Sequence, residues 1–127
     1  MSEATCLELS VTLWFVHLAC VLGAAQFAVP LRWRLSSRDQ PAAPKGVLFG
    51  RANRALANYV ENFTVFAALD LALIVTHRPG GWGPTTWIVA RVLYLPLYLF
   101  DVIYLRTIAW GVALIAILTM LGRLTWS

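Results

Sequence analysis

Four apolar stretches, each about twenty residues or longer, fill most of this chain. They leave little room for any fold that is not helical and embedded in a membrane. They run roughly Leu7–Leu31, Gly50–His77, Thr85–Tyr104 and Leu105–Trp126. A hydrocarbon slab is about 30 Å thick, and a helix rising about 1.5 Å per residue crosses it in about 20 residues. In lipid every backbone donor and acceptor must be satisfied within its own segment, so four helices are the natural solution. Of the 127 residues, 60% are hydrophobic and 13% charged. That leaves too little polar surface for a soluble domain of this size. The expectation is an all-α integral membrane four-helix bundle, one domain over residues 1–127, with the lipid bilayer as its first partner.

The positive charges are clustered. Net charge is +4, and Arg32, Arg34, Arg38, Lys45, Arg51 and Arg54 all lie between the first two apolar stretches or in the opening turns of the second. Such asymmetry marks a cytoplasmic loop, not a nucleic-acid-binding arm. Both termini are then expected on the non-cytoplasmic side. Ser36–Lys45, SSRDQPAAPK, has two prolines and reads as a solvated loop, though it is the one connector long enough to close over a site. Trp33, between two arginines, suits the headgroup zone, as does Trp82 in the Arg78–Pro84 turn. The acidic N-terminus, with Glu3 and Glu8, lacks the basic leader of a signal peptide, so the first stretch is kept as a membrane helix. Cys6 and Cys20 offer neither metal spacing nor a disulfide framework, and no metal is expected.

Two polar stripes interrupt the apolar background. On a helix turning about 100° per residue, Arg51, Arg54, Asn58 and Glu61 fall within an arc of roughly 80°. Arg91, Tyr94, Tyr98 and Asp101 repeat the same offsets in the third stretch, and Arg106 follows at the start of the fourth. A pocket between such stripes holds guanidiniums for carboxylates, a carboxylate for an amino group and an amide for an amide. A small zwitterionic peptide fits that set better than an inorganic ion or a lipid tail. Lone His17 reads as a helix-packing residue. Asp70, on a different face, is expected near mid-membrane, where a lone carboxylate is costly. Crude depth counting puts His17 and Arg91 at its level, so Asp70 is expected to pair with one of them as a structural contact. Asp70→Asn should then weaken the fold.

Arg54-Ala55-x-x-Asn58-x-x-Glu61 resembles the second-helix signature of the MAPEG family, the membrane-associated proteins of eicosanoid and glutathione metabolism. Arg91-x-x-Tyr94-x-x-x-Tyr98 followed by Leu105-Arg106 resembles that family's third-to-fourth helix segment, and Arg32/Arg34 its first-helix exit. The SRDQP loop looks like bacterial members, which implies a bacterial inner membrane. The resemblance implies a homotrimer of four-helix bundles with glutathione bound between subunits. Arg54, Asn58, Glu61, Tyr94 and Tyr98 match glutathione-contacting positions, with Arg51 and Arg32 as weaker matches. Arg91 would pair with Glu61 inside the membrane. Arg106 matches the arginine that stabilises the glutathione thiolate, and Thr107 could add a hydrogen bond. The substrate implied is a lipophilic small molecule entering from the lipid. Where members often carry a proline soon after the glutamate, this chain has Asn62-Phe63-Thr64-Val65.

The function expected from this resemblance is a glutathione transferase or glutathione-dependent peroxidase. Two alternatives stay open: a non-catalytic membrane subunit that keeps the fold, and a small multidrug-type transporter. The transporter reading leans on Asp70 alone, because the first stretch has only His17 at depth.

Overall fold

The computed structural model describes residues 1–126. Four helices make the bundle: α1 (Glu3–Ala28), α3 (Leu48–Val75), α4 (Gly83–Leu99) and α5 (Ile103–Thr125). One short helix, α2 (Leu31–Leu35), follows α1. No strand occurs among the described residues. α1, α3 and α5 are long and apolar enough to cross a membrane. α4, with 17 residues, spans only about 25 Å, yet it links the same two ends of the bundle.

Local chemistry sets the boundaries. Ser2 caps α1 by accepting from the Thr5 amide at 3.2 Å, with Glu3 in the first turn where the helix dipole favours an acid. Pro30 forces Val29 into extended backbone (φ −134°, ψ 143°), so the predicted first stretch divides into α1 and α2. Pro84 sits in the first turn of α4, where its missing N–H costs nothing. The third and fourth stretches meet earlier than the sequence indicated. Asp101 adopts a left-handed φ of 60°, so α4 stops at Leu99 and Tyr104 belongs to α5. Asp101 therefore leaves the helical stripe that its spacing implied. α3 continues unbroken through Asn62–Val65, where no proline interrupts it.

Hydrogen bonds fix which ends meet. At one end, Glu3 Oε1 accepts from the Gly80 amide at 2.8 Å, and Arg78 donates to the Leu124 carbonyl. At the other, basic end, the Lys45 amide donates to the Ala28 carbonyl at 2.9 Å, and Arg51 reaches Leu99 and Asp101.

The core follows from helical phase. Ala52, Ala55, Tyr59, Phe66, Asp70 and Leu73 are the buried residues of α3, and all fall on an arc of about 60°. Aromatic rings from α1, α3 and α4 stack along it. His17 lies on Tyr59 at 4.4 Å, Tyr59 is 5.7 Å from Trp87, and Trp87 stacks on Phe66 at 4.0 Å. Such ring pairs contribute about 0.5–1.5 kcal/mol beyond area burial, which matters in lipid, where packing drives helix association. α4 and α5 approach closely at Gly83. A Cβ there would lie 2.7 Å from Met120 Cγ and 3.0 Å from the Ala116 carbonyl oxygen.

Among the buried polar groups of the core, Asp70 differs from expectation. Tyr59 donates to the Ser10 carbonyl at 2.6 Å. His17 Nδ1 lies 2.8 Å from the Leu13 carbonyl. A carbonyl only accepts, so the proton sits on Nδ1, and His17 is a packing residue as its isolation implied. Asp70, however, pairs with neither His17 nor Arg91: both its carboxylate oxygens are buried without a hydrogen-bond partner. His17 stacks on Tyr59 and Arg91 bonds Asn58. From residues 58 and 59 to residue 70 along α3 is roughly 17 Å, far beyond ion-pair reach.

Candidate functional site

Asn58 stands on the side of the α3 polar stripe nearer the buried arc, about 20° behind Arg51, and its side chain turns inward between helices to meet Arg91. Arg91, wholly buried on α4, donates from Nη1 to Asn58 Oδ1 at 2.9 Å. A guanidinium only donates, so this bond fixes the amide with its oxygen toward Arg91 and its NH2 group turned away. The Arg91 guanidinium is held over two rings, 5.7 Å from Trp87 and 5.2 Å from Tyr94.

Beside that bond lies a polar hollow of about 200 Å³, lined by Asn58, Tyr94, Arg106, Thr107 and Trp110. Arg106 enters from the first turn of α5, with its guanidinium 4.7 Å from the Tyr98 ring centre. Tyr94 and Tyr98, one turn apart, have ring centres 5.6 Å apart. Asp101 in the α4–α5 turn ties the rim together. It lies 3.2 Å from Arg51 Nη2 and 3.6 Å from Arg106 Nη1, and Arg51 also donates to the Leu99 carbonyl at 3.2 Å. The hollow therefore offers a cation, an amide donor, a phenol and a hydroxyl in one small volume. Drug-sized ligands occupy roughly 300 Å³ or more, so this hollow by itself is smaller than such a ligand needs.

Of the residues singled out from sequence, Asn58, Tyr94 and Arg106 line this hollow, Tyr98 supports Arg106, and Arg51 sits one contact outward on Asp101. Arg54 and Glu61 do not join them. Both are exposed on the outer face of α3, and the Arg54 guanidinium folds back over Gly50. The expected Arg91–Glu61 pair does not form, because Glu61 sits about 60° further round α3 from Asn58, away from the core. Arg32 is exposed on α2 and lines a separate hollow with Trp33 and Asp39. Trp110 was missed. Its position one turn after Arg106 on α5 was the available signal.

A second cavity, apolar and about 550 Å³, runs between α4 and α5. Val89, Leu93, Pro96, Leu105 and Ile108 line it, so Leu105 and Arg106 lie in adjoining positions on two different cavities. Among the described residues no cluster of three or more His, Cys, Asp or Glu side chains could hold a metal.

Comparison with known proteins gives one match. The MAPEG family model covers residues 5–126, nearly the whole chain. No curated protein and no solved structure matches the chain.

Proposed function

Since the chain belongs to the MAPEG family, we propose that it is a glutathione-binding membrane enzyme, a transferase or peroxidase acting on a lipophilic substrate. The observation that carries this reading is the placement of the Arg106 guanidinium in a hollow shared with the Asn58 amide and the Tyr94 phenol. A free thiol has a pKa near 8.5, and an adjacent cation lowers it. Arg106 would hold the thiolate, and the released proton would pass to water at the basic end; Thr107 adds no donor, because its hydroxyl already donates to the Ile103 carbonyl at 3.0 Å. Glutathione supplies the sulfur nucleophile. That sulfur would serve either for transfer onto an electrophile whose leaving group departs with the bonding pair or whose ring opens, or for reduction of a peroxide to an alcohol and water by two glutathiones, which end as the disulfide. The apolar cavity beside Leu105 would hold the lipophilic partner.

The rest of the peptide would lie along Arg54 and Glu61, which a lone subunit leaves exposed. Charged groups facing lipid are costly, so a second copy covering this α3 face gives them partners and completes the site, in keeping with a homotrimer. The proposed orientation places the basic end in the cytoplasm and both termini across a bacterial inner membrane.

The test is a glutathione titration of the purified protein, following thiolate absorbance in the near ultraviolet, with Arg106→Ala alongside. Saturable thiolate formation that Arg106→Ala abolishes is the expected result. Binding without thiolate would support a site that holds the peptide but lacks the chemistry. No binding would overturn the reading in favour of a non-catalytic membrane subunit.

A further inference from the structure

The α1–α2–α3 corner carries a third cavity, which the glutathione reading does not use. It measures about 450 Å³ and has an apolar floor that includes Leu22, Leu35 and Phe49, with Arg34 and Arg38 at its rim. Arg34 Nε is buried there without a hydrogen-bond partner. Arg38 is held in place by several contacts. Its backbone takes a left-handed φ of 60°, its amide donates to Ser36 Oγ at 3.2 Å, and its Nη2 donates to the Arg34 carbonyl at 3.3 Å. Its guanidinium lies 5.5 Å from the Trp33 ring centre, and Trp33 itself is fixed by donating to the Gln40 carbonyl at 2.8 Å. A non-glycine residue keeps such a φ only where its surroundings over-determine it.

No carboxylate among the described residues forms an ion pair with Arg34 or Arg38. Asp39, the loop's one acid, accepts from Ser37 Oγ at 2.7 Å and lines the neighbouring hollow with Arg32 instead. Two guanidiniums without acidic partners thus stand over an apolar floor at the basic end of a membrane bundle. Guanidinium forks bind phosphate oxygens. The floor offers a hydrocarbon chain a surface that a soluble anion has no use for.

We propose that this corner is a binding site for one anionic phospholipid, its phosphodiester held by Arg34 and Arg38 and one acyl chain laid on the floor formed by Leu22, Leu35 and Phe49. A zwitterionic headgroup brings an ammonium group, quaternary in phosphatidylcholine, beside two guanidiniums and is disfavoured. The site shares no residue with the Arg106 hollow, so it stands whether or not glutathione binds.

The experiment uses delipidated full-length protein in a neutral detergent. Its thermal melting and native mass spectra are recorded with phosphatidylglycerol, with phosphatidylcholine of the same chains, and with glycerol phosphate alone. Phosphatidylglycerol should raise the melting temperature and leave one retained lipid per subunit, while the other two do neither. Polybasic contacts to anionic lipid contribute about fivefold in affinity per side chain, so Arg34→Gln with Arg38→Gln should weaken binding roughly thirtyfold. Leu22→Trp fills the floor with both guanidiniums intact and should also lose the lipid. Equal stabilisation by phosphatidylcholine, an effect of glycerol phosphate alone, no effect of any additive, or unchanged binding in these variants would each overturn the proposal.

Discussion

Replacing Asp70 by alanine should stabilise this protein, although Asp70 is a charged-type residue buried in the heart of a helix bundle. Asp70 is fully buried, and neither carboxylate oxygen has a hydrogen-bond partner. Removing unsatisfied buried polar atoms recovers about 1–3 kcal/mol. Asp70 also lies within α3, where alanine is favoured by up to about 0.7 kcal/mol. Against this stands the space vacated, about 25 Å³, which costs about 0.6 kcal/mol at about 24 cal/mol per Å³. The net expectation is a gain of about 1 kcal/mol or more. Were Asp70 the partner of a buried cation, its loss would leave that cation alone and cost about 3–5 kcal/mol. The two accounts differ in sign. Helicity by circular dichroism, followed through heating and through denaturing-detergent titration in mild micelles, separates them. A melting temperature several degrees below wild type would refute the unpaired carboxylate and mean that Asp70 has a partner. Asp70→Asn keeps the shape and the unsatisfied oxygen, so it should fall close to wild type and not below it.

Two further substitutions probe the crossing and the rim. Gly83→Ala places a methyl 2.7 Å from Met120 Cγ and 3.0 Å from the Ala116 carbonyl. The methionine can move but the backbone cannot, so a loss of about 1–3 kcal/mol in the same melting assay is expected, and an unchanged melt would mean that α4 and α5 are less closely set. Asp101→Asn removes the carboxylate 3.6 Å from Arg106 Nη1. The pair is partly solvated and therefore modest, about 0–1 kcal/mol, so glutathione thiolate binding should strengthen by up to about fivefold. Weaker binding would mean that Asp101 orients Arg106 more than it competes for it.

The layout of helices was legible because lipid leaves so few choices: apolar length and the Pro30, Pro84 and basic-loop breaks sufficed. The two stripes were legible for the same reason, since helical period alone places Arg51, Arg54, Asn58 and Glu61 on one side. Period does not say which edge of the stripe meets the core. That depends on α4, and it gave Asn58 to Arg91 while leaving Glu61 outside. The Asp101 displacement was hidden because a left-handed φ at an aspartate leaves no mark in spacing. The Asp70 error came from depth counting. It treated residues at comparable counts from the membrane rim as level, whereas the Tyr59–His17 stack and the Arg91–Asn58 bond put both candidates more than ten residues back along α3.

The division of the α3 stripe has a consequence for how a complete site could arise. Asn58 lies at the boundary between the buried arc and the outer face, so the same helix supplies a fixed amide inward and two opposite charges, Arg54 and Glu61, outward. The inward hollow is large enough for a thiol-bearing end, and its Asn58 amide is held by Arg91, which packs over Trp87 and Tyr94. The outward charges have no such support within the subunit. If a peptide spans both, its reactive end meets prearranged groups, while its charged ends meet groups that a neighbouring copy must order. Binding would then depend on assembly more steeply than on any single contact in the hollow, since dissociating the copies removes the surroundings of Arg54 and Glu61 but leaves Asn58, Tyr94 and Arg106 in place.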